Sequence, residues 1–153
     1  MHTFRRQTLL AASPEQVFAF HENPHNIRKI SPFFLQIIQV DAHTEAVQDD
    51  RFALKLHIFG FPLKWNGVWN EVDKPTLLVD TATPFPFKYW RHEHRFDPKN
   101  NGTWMTDIVT YRITGGWLGR LFGATLFRLQ LILMFAGRHR ATREYFAHSR
   151  HFK

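Results

Sequence analysis

The chain has 153 residues, a formal net charge of +7 and a pI near 10.1. It holds no cysteine, which excludes disulfides and thiolate-held metals and suits a reducing cytoplasm. The length fits one domain, residues 1–153, and its 16 Phe and 5 Trp can fill a core and also wall an apolar pocket.

The positive charge invites nucleic acid or anionic membrane as a partner. However, Arg5, Arg6, Arg91 and Arg95 are dispersed along the chain. Only the C-terminal end is dense, with Arg138, His139, Arg140, Arg143, His148, Arg150, His151 and Lys153. That pattern reads as a solvated helix end complementing the helix dipole. No recognition motif accompanies it, so no specific nucleic acid is expected. No apolar run follows the first basic residues, so a secretory signal is not expected either.

Residues 2–10 read as a first strand. Ser13-Pro14-Glu15-Gln16 then starts a helix, with Ser13 as cap, Pro14 at the first helical position and Gln16 at capping-box spacing. Asn23-Pro24 breaks it, and a second short helix runs from Pro24 to about Ile30. Strands follow at 36–43 and 50–58. Gly60-Phe61 suits a Gly-first two-residue turn, which pairs Leu56 with Trp65, Leu54 with Gly67 and Phe52 with Trp69 on one face. Gly67 leaves a gap between Trp65 and Trp69, read either as a bend or as room for a ligand. Residues 76–83 form a further strand, followed by the stiff connector Pro84-Phe85-Pro86-Phe87.

The most informative segment comes next. In a strand, Trp90, His92, His94 and Phe96 share one face while Arg91, Glu93 and Arg95 share the other. An Asn-Gly turn leads into a second alternating run, Thr103 to Ile113, with Met105, Asp107, Val109, Tyr111 and Ile113 together. Asp107 then lies opposite His94 or His92. After Gly115-Gly116 a helical pattern runs from Trp117 to about His148. Leu118, Leu121, Phe122, Leu126, Leu129, Leu133 and Ala136 recur at spacings of three and four. Leu126 to Gly137 is apolar but interrupted by Arg128 and Gln130, too short and too polar to span a bilayer. It reads as a helix buried against the sheet, with interfacial membrane docking as the alternative.

These elements make an α+β domain with its helices on one face of an antiparallel sheet. A cavity between sheet and long helix would be walled by Trp65, Trp69, Trp90, His92 and His94. Met105, Asp107 and Tyr111 on the last strand, and Leu129 and Leu133 on the helix, would complete it.

The element order resembles the helix-grip fold of the START-like, or SRPBCC, superfamily, which includes polyketide cyclases and lipid-transfer domains. More closely, the chain is similar to a small uncharacterised bacterial subfamily. The matching segments are Ser13 to His21, Gly60 to Trp65, Trp90 with His92, His94 and Phe96, Asp107 with Val109 and Tyr111, and Gly119 with Leu121. Ile113-Thr114 departs from the Leu-Pro pair usual there. The resemblance implies a curved antiparallel sheet of about seven strands wrapped around a long C-terminal helix, with two short helices after the first strand. It also implies a small hydrophobic ligand (lipid, polyketide-like or aromatic), but no single reaction.

Three readings of His92, His94 and Asp107 stay open. The Asp can satisfy a buried His for stability alone. A carboxylate-held His can orient a ligand, or move a proton in a cyclisation, dehydration or hydrolysis without a cofactor. His-x-His with a carboxylate is also ligand-competent for zinc or iron, but no further His or Glu is placed as another ligand, so no metal is expected. His21, His25, His43 and His57 read as loop or surface residues. A third functional class is a peripheral lipid-transfer module, associating weakly with anionic membrane through the basic C-terminal end.

Overall fold

The computed structural model describes residues 1–116 and 124–149. Strand β1 (His2–Leu10) turns Phe4, Thr8 and Leu10 inward. Ser13 then starts α1 (Pro14–His21) with a reciprocal capping box. Gln16 N donates to Ser13 Oγ at 3.3 Å, and Ser13 N donates to Gln16 Oε1 at 3.1 Å. Val17, Phe18 and Phe20 seat α1 in the core, with Phe18 edge-on to Phe96. Asn23 accepts a hydrogen bond from His25 N and opens a 3₁₀ turn (Pro24–Asn26) that runs into α2 (Ile27–Ile30).

Six more strands follow: β2 (Leu35–Asp41), β3 (Arg51–Ile58), β4 (Phe61–Asp73), β5 (Leu77–Ala82), β6 (Phe87–Lys99) and β7 (Gly102–Ile113). They form a meander, and β1 closes onto β7. The seven-stranded antiparallel sheet runs β1-β7-β6-β5-β4-β3-β2.

Two registers differ in detail from the sequence reading. The β3–β4 turn is Phe59-Gly60, not Gly60-Phe61. Ile58 therefore pairs with Phe61, Leu54 with Trp65 and Phe52 with Gly67. Both turn residues have positive φ, 50° at Phe59 and 83° at Gly60. Phe59 is held there by Phe34, whose ring stacks on it at 4.7 Å and whose carbonyl accepts its N–H at 2.9 Å. The shift is two residues, so every side chain keeps its face. The gap at Gly67 is not open space: a Cβ there would lie 2.2 Å from Phe52 Cζ, so the Phe52 ring covers it. At the β6–β7 hairpin the turn is Asn100-Asn101, closed by Lys99 and Gly102. Gly102 lies in the strand, where a Cβ would meet the Leu10 carbonyl oxygen at 2.0 Å.

Helix α3 (Ala124–Ser149), about 39 Å long at 1.5 Å per residue, packs against β1 and α2. Its inward stripe is Leu131, Met134, Phe135, His139, Thr142 and Phe146. The expected stripe is overturned in its described part. Leu129 and Leu133 are 54% and 49% exposed, and Leu126 is exposed as well. Leu118, Leu121 and Phe122 lie outside the described residues. In the expected basic, solvated helix end, Arg140, Arg143 and His148 are exposed, but His139 is corrected: it is 1% exposed.

Candidate functional site

Strand pairing builds the site from three neighbouring strands. Asp80 on β5 lies opposite His92 on β6, and His94, two residues on, lies opposite Asp107 on β7. From the other side, α3 lowers His139 onto the same carboxylate. Asp107 thereby meets three imidazoles. His92 Nε2 donates to its Oδ1 at 2.9 Å, His139 Nε2 donates to its Oδ2 at 2.5 Å, and His94 Nδ1 stands 2.6 Å from Oδ1. Burial alone pushes the Asp107 carboxyl up. His94 and the hydrogen bonds from His139, His92 and His94 outweigh it and hold Asp107 well below the usual carboxylate range.

Asp80 is in the opposite condition. Burial raises its carboxyl to about 7, against the pull of His94 and Arg138. The nearest ring nitrogen, His92 Nδ1, is 3.6 Å away. Burial, followed by His92, lowers His94. His21, at the end of α1, is lowered to about 3, first by burial and then by His94. Its Nδ1 meets the Val17 carbonyl at 2.7 Å, and its ring centroid lies 5.3 Å from that of His94.

These groups form the polar end of a cavity of about 120 Å³. The apolar walls include Leu54, Leu56, Trp65, Trp69, Trp90 and Met134; the polar lining is His21, Asp80, His92, His94 and Arg138, with Asn23 and Asn26 near α2. Of the expected wall residues, Trp65, Trp69, Trp90, His92 and His94 are in place. Met105, Asp107 and Tyr111 are fully buried behind the wall rather than on it, and Leu129 and Leu133 face away on the outer side of α3.

Four ionisable residues of the site were not read as such from the sequence. Asp80 sits in an ordinary alternating strand, and only the β5–β6 register brings it to His92. His21 closes a helix and looked like a surface residue, a reading the cavity corrects. Arg138 and His139 were hidden in a basic run. Their signal was available: they stand four and five residues beyond Met134, on the face that Leu131 and Phe135 define.

A seven-stranded antiparallel sheet carrying one long helix over an apolar cavity is a START-like, helix-grip architecture. The match to the family of polyketide cyclase / dehydrase and lipid transport proteins covers residues 1–131, and the chain belongs to that family. No curated protein matches it. Among solved structures, the chain is similar to the di-domain ARO/CYC StfQ of the steffimycin biosynthetic pathway. There the identity is 14% and the TM-score 0.78, over 97% of this chain and 51% of that one. It is similar also to a protein from Rhodobacter sphaeroides (14% identity, TM-score 0.77, 95% and 92% coverage). A START superfamily protein from Mycobacterium smegmatis shares 13% identity at TM-score 0.67, over 97% and 99% of the two chains. At these identities the likeness is one of fold.

Proposed function

We propose that the protein binds a small, largely apolar molecule between sheet and α3, with the ligand's polar end toward Asp80, His94 and Arg138. The observation that carries this reading is the division of the cavity into one apolar wall and one convergent polar end. Arg138 forms no ion pair among the described residues, and its buried Nε finds no hydrogen-bond partner. It is a cation held ready for an acidic group. The volume sets the scale: an engineered cavity of about 150 Å³ holds benzene, so about 120 Å³ suits one ring or a short chain rather than a whole lipid.

The test uses 4-ethylbenzoate and its neutral counterpart 4-ethyltoluene, followed by tryptophan fluorescence, since Trp65, Trp69 and Trp90 line the cavity. Saturable 1:1 binding is expected. Leu54→Trp, which fills the cavity, should abolish it, and Arg138→Met should weaken the acid but not the hydrocarbon. Undiminished binding by a folded Leu54→Trp protein rules the cavity out as the site.

A second reading, docking on an anionic membrane, is favoured by one end of the sheet. Antiparallel pairing brings the turn Phe59-Gly60 and the connectors 31–34 and 83–86 to that end. Phe33 and Phe85 are 92% and 79% exposed there, and Phe59 and Phe61 are exposed as well. Exposed Lys64 and Lys88 flank them, and segments 31–36, 59–66 and 83–88 contain no carboxylate. Aromatic tips ringed by lysines suit an anionic interface. This support comes from the loop end, not from the basic C-terminal run. Co-sedimentation with vesicles containing phosphatidylserine should weaken with salt and fall in Phe33→Ser/Phe85→Ser; equal binding by that variant would exclude this face.

A further inference from the structure

We infer that Asp80, His92 and His94 form a binding site for one divalent first-row metal ion, zinc or ferrous iron, at the polar end of the cavity. The sequence set Asp107 beside the two histidines but placed no further ligand; the β5–β6 pairing brings Asp80 to His92. One ligand atom from each of the three side chains lies within 4.8 Å of the others. Two imidazoles and one carboxylate on a single face are the donor set that zinc and non-haem iron take, with the remaining positions open to water or ligand.

Hydrogen bonding strengthens the assignment. Asp107 accepts a hydrogen bond from His92 Nε2 and stands 2.6 Å from His94 Nδ1. A carboxylate behind a ligating imidazole fixes its tautomer and raises its basicity. With Nε2–H donated to Asp107, singly protonated His92 presents Nδ1 as a lone pair. That lone pair faces Asp80 Oδ2 at 3.6 Å. That separation fits a metal ion bonded to both atoms at about 2.0–2.2 Å. Asp107 itself is held in turn by His139 from α3. Arg138, the nearest fixed cation, stands in no ion pair with either carboxylate. The inference does not depend on which organic ligand the cavity takes.

The test is calorimetric titration of EDTA-treated, dialysed protein with zinc alone. One site per chain is expected. Asp80→Asn and His92→Gln should each weaken it by about 100-fold, and Asp107→Asn by about 10- to 100-fold as a positioning residue. His43→Ala and His148→Ala, on the surface, should leave it unchanged. Absence of binding by the wild type overturns the site. So does undiminished binding by folded Asp80→Asn and His92→Gln, which would mean adventitious surface histidines. A readout on the wild type covers variants that do not fold: zinc should shift the ring resonances of His92 and His94, and shifts confined to His43 and His148 refute the assignment.

Discussion

His139 Nε2 donates to Asp107 Oδ2 at 2.5 Å, tying the middle of α3 to the last strand of the sheet through a buried polar contact. Asp107 is the hub of that contact and His139 one spoke. Asp107→Leu strands His92, His94 and His139 in the core without their acceptor, whereas His139→Leu leaves Asp107 two partners. Urea unfolding should therefore show a loss of about 3–5 kcal/mol for Asp107→Leu and about 1–3 kcal/mol for His139→Leu. Equal losses would mean that the three imidazoles do not depend on the shared carboxylate.

The half-buried His21 makes stability depend on pH. Its folded pKa, about 3, lies below the unfolded 6.5, so between these values the unfolded chain binds the extra proton. The stabilisation is fully present above 6.5 and is lost as pH falls toward 3. His94, also lowered, and Asp107, held below the carboxylate range, act in the same sense; Asp80, raised to about 7, acts oppositely. The difference between wild type and His21→Asn cancels the common groups. Melting in EDTA-containing buffers should show the variant losing less stability between pH 6.5 and 4, by up to about 1.4 kcal/mol per pH unit. Parallel curves would place His21 in solvent.

Gly67 links packing to binding. Gly67→Ala forces the Phe52 ring, a cavity-wall group, off its seat. The expected cost is about 1–3 kcal/mol, together with weaker binding of 4-ethylbenzoate. Unchanged stability and affinity would show that the ring has free room to move.

The capping box predicts a local effect. Ser13→Ala should cost about 1 kcal/mol in thermal unfolding, because Gln16 N loses its acceptor. It should leave ligand affinity unchanged, since Ser13 is not on the cavity wall. A drop in affinity would mean that α1 positions His21 through its cap.

Much of the fold is legible in local chemistry. Ser13-Pro14 and Gln16 announce α1, and the alternation of Trp90, His92, His94 and Phe96 shows which face of β6 turns inward. The failures have one physical source, that tertiary contacts choose between locally equivalent options. Helix α3 carries two stripes at spacings of three and four, and the more leucine-rich one, with Leu129 and Leu133, is the exposed one. Period alone does not say which stripe meets the sheet. Phe59 takes a positive φ only because Phe34 stacks on it. Asp80 gains its meaning from a strand register that no local pattern encodes, and Arg138 and His139 look like solvent charges until the helix face is known.

Intermolecular NOEs between 4-ethylbenzoate and methyl-labelled protein decide whether a ligand enters the cavity between sheet and helix. NOEs are expected from the ethyl group to the methyls of Leu54, Leu56 and Met134, which line the cavity. Contacts confined to the exposed methyls of Leu126, Leu129 and Leu133 would contradict it.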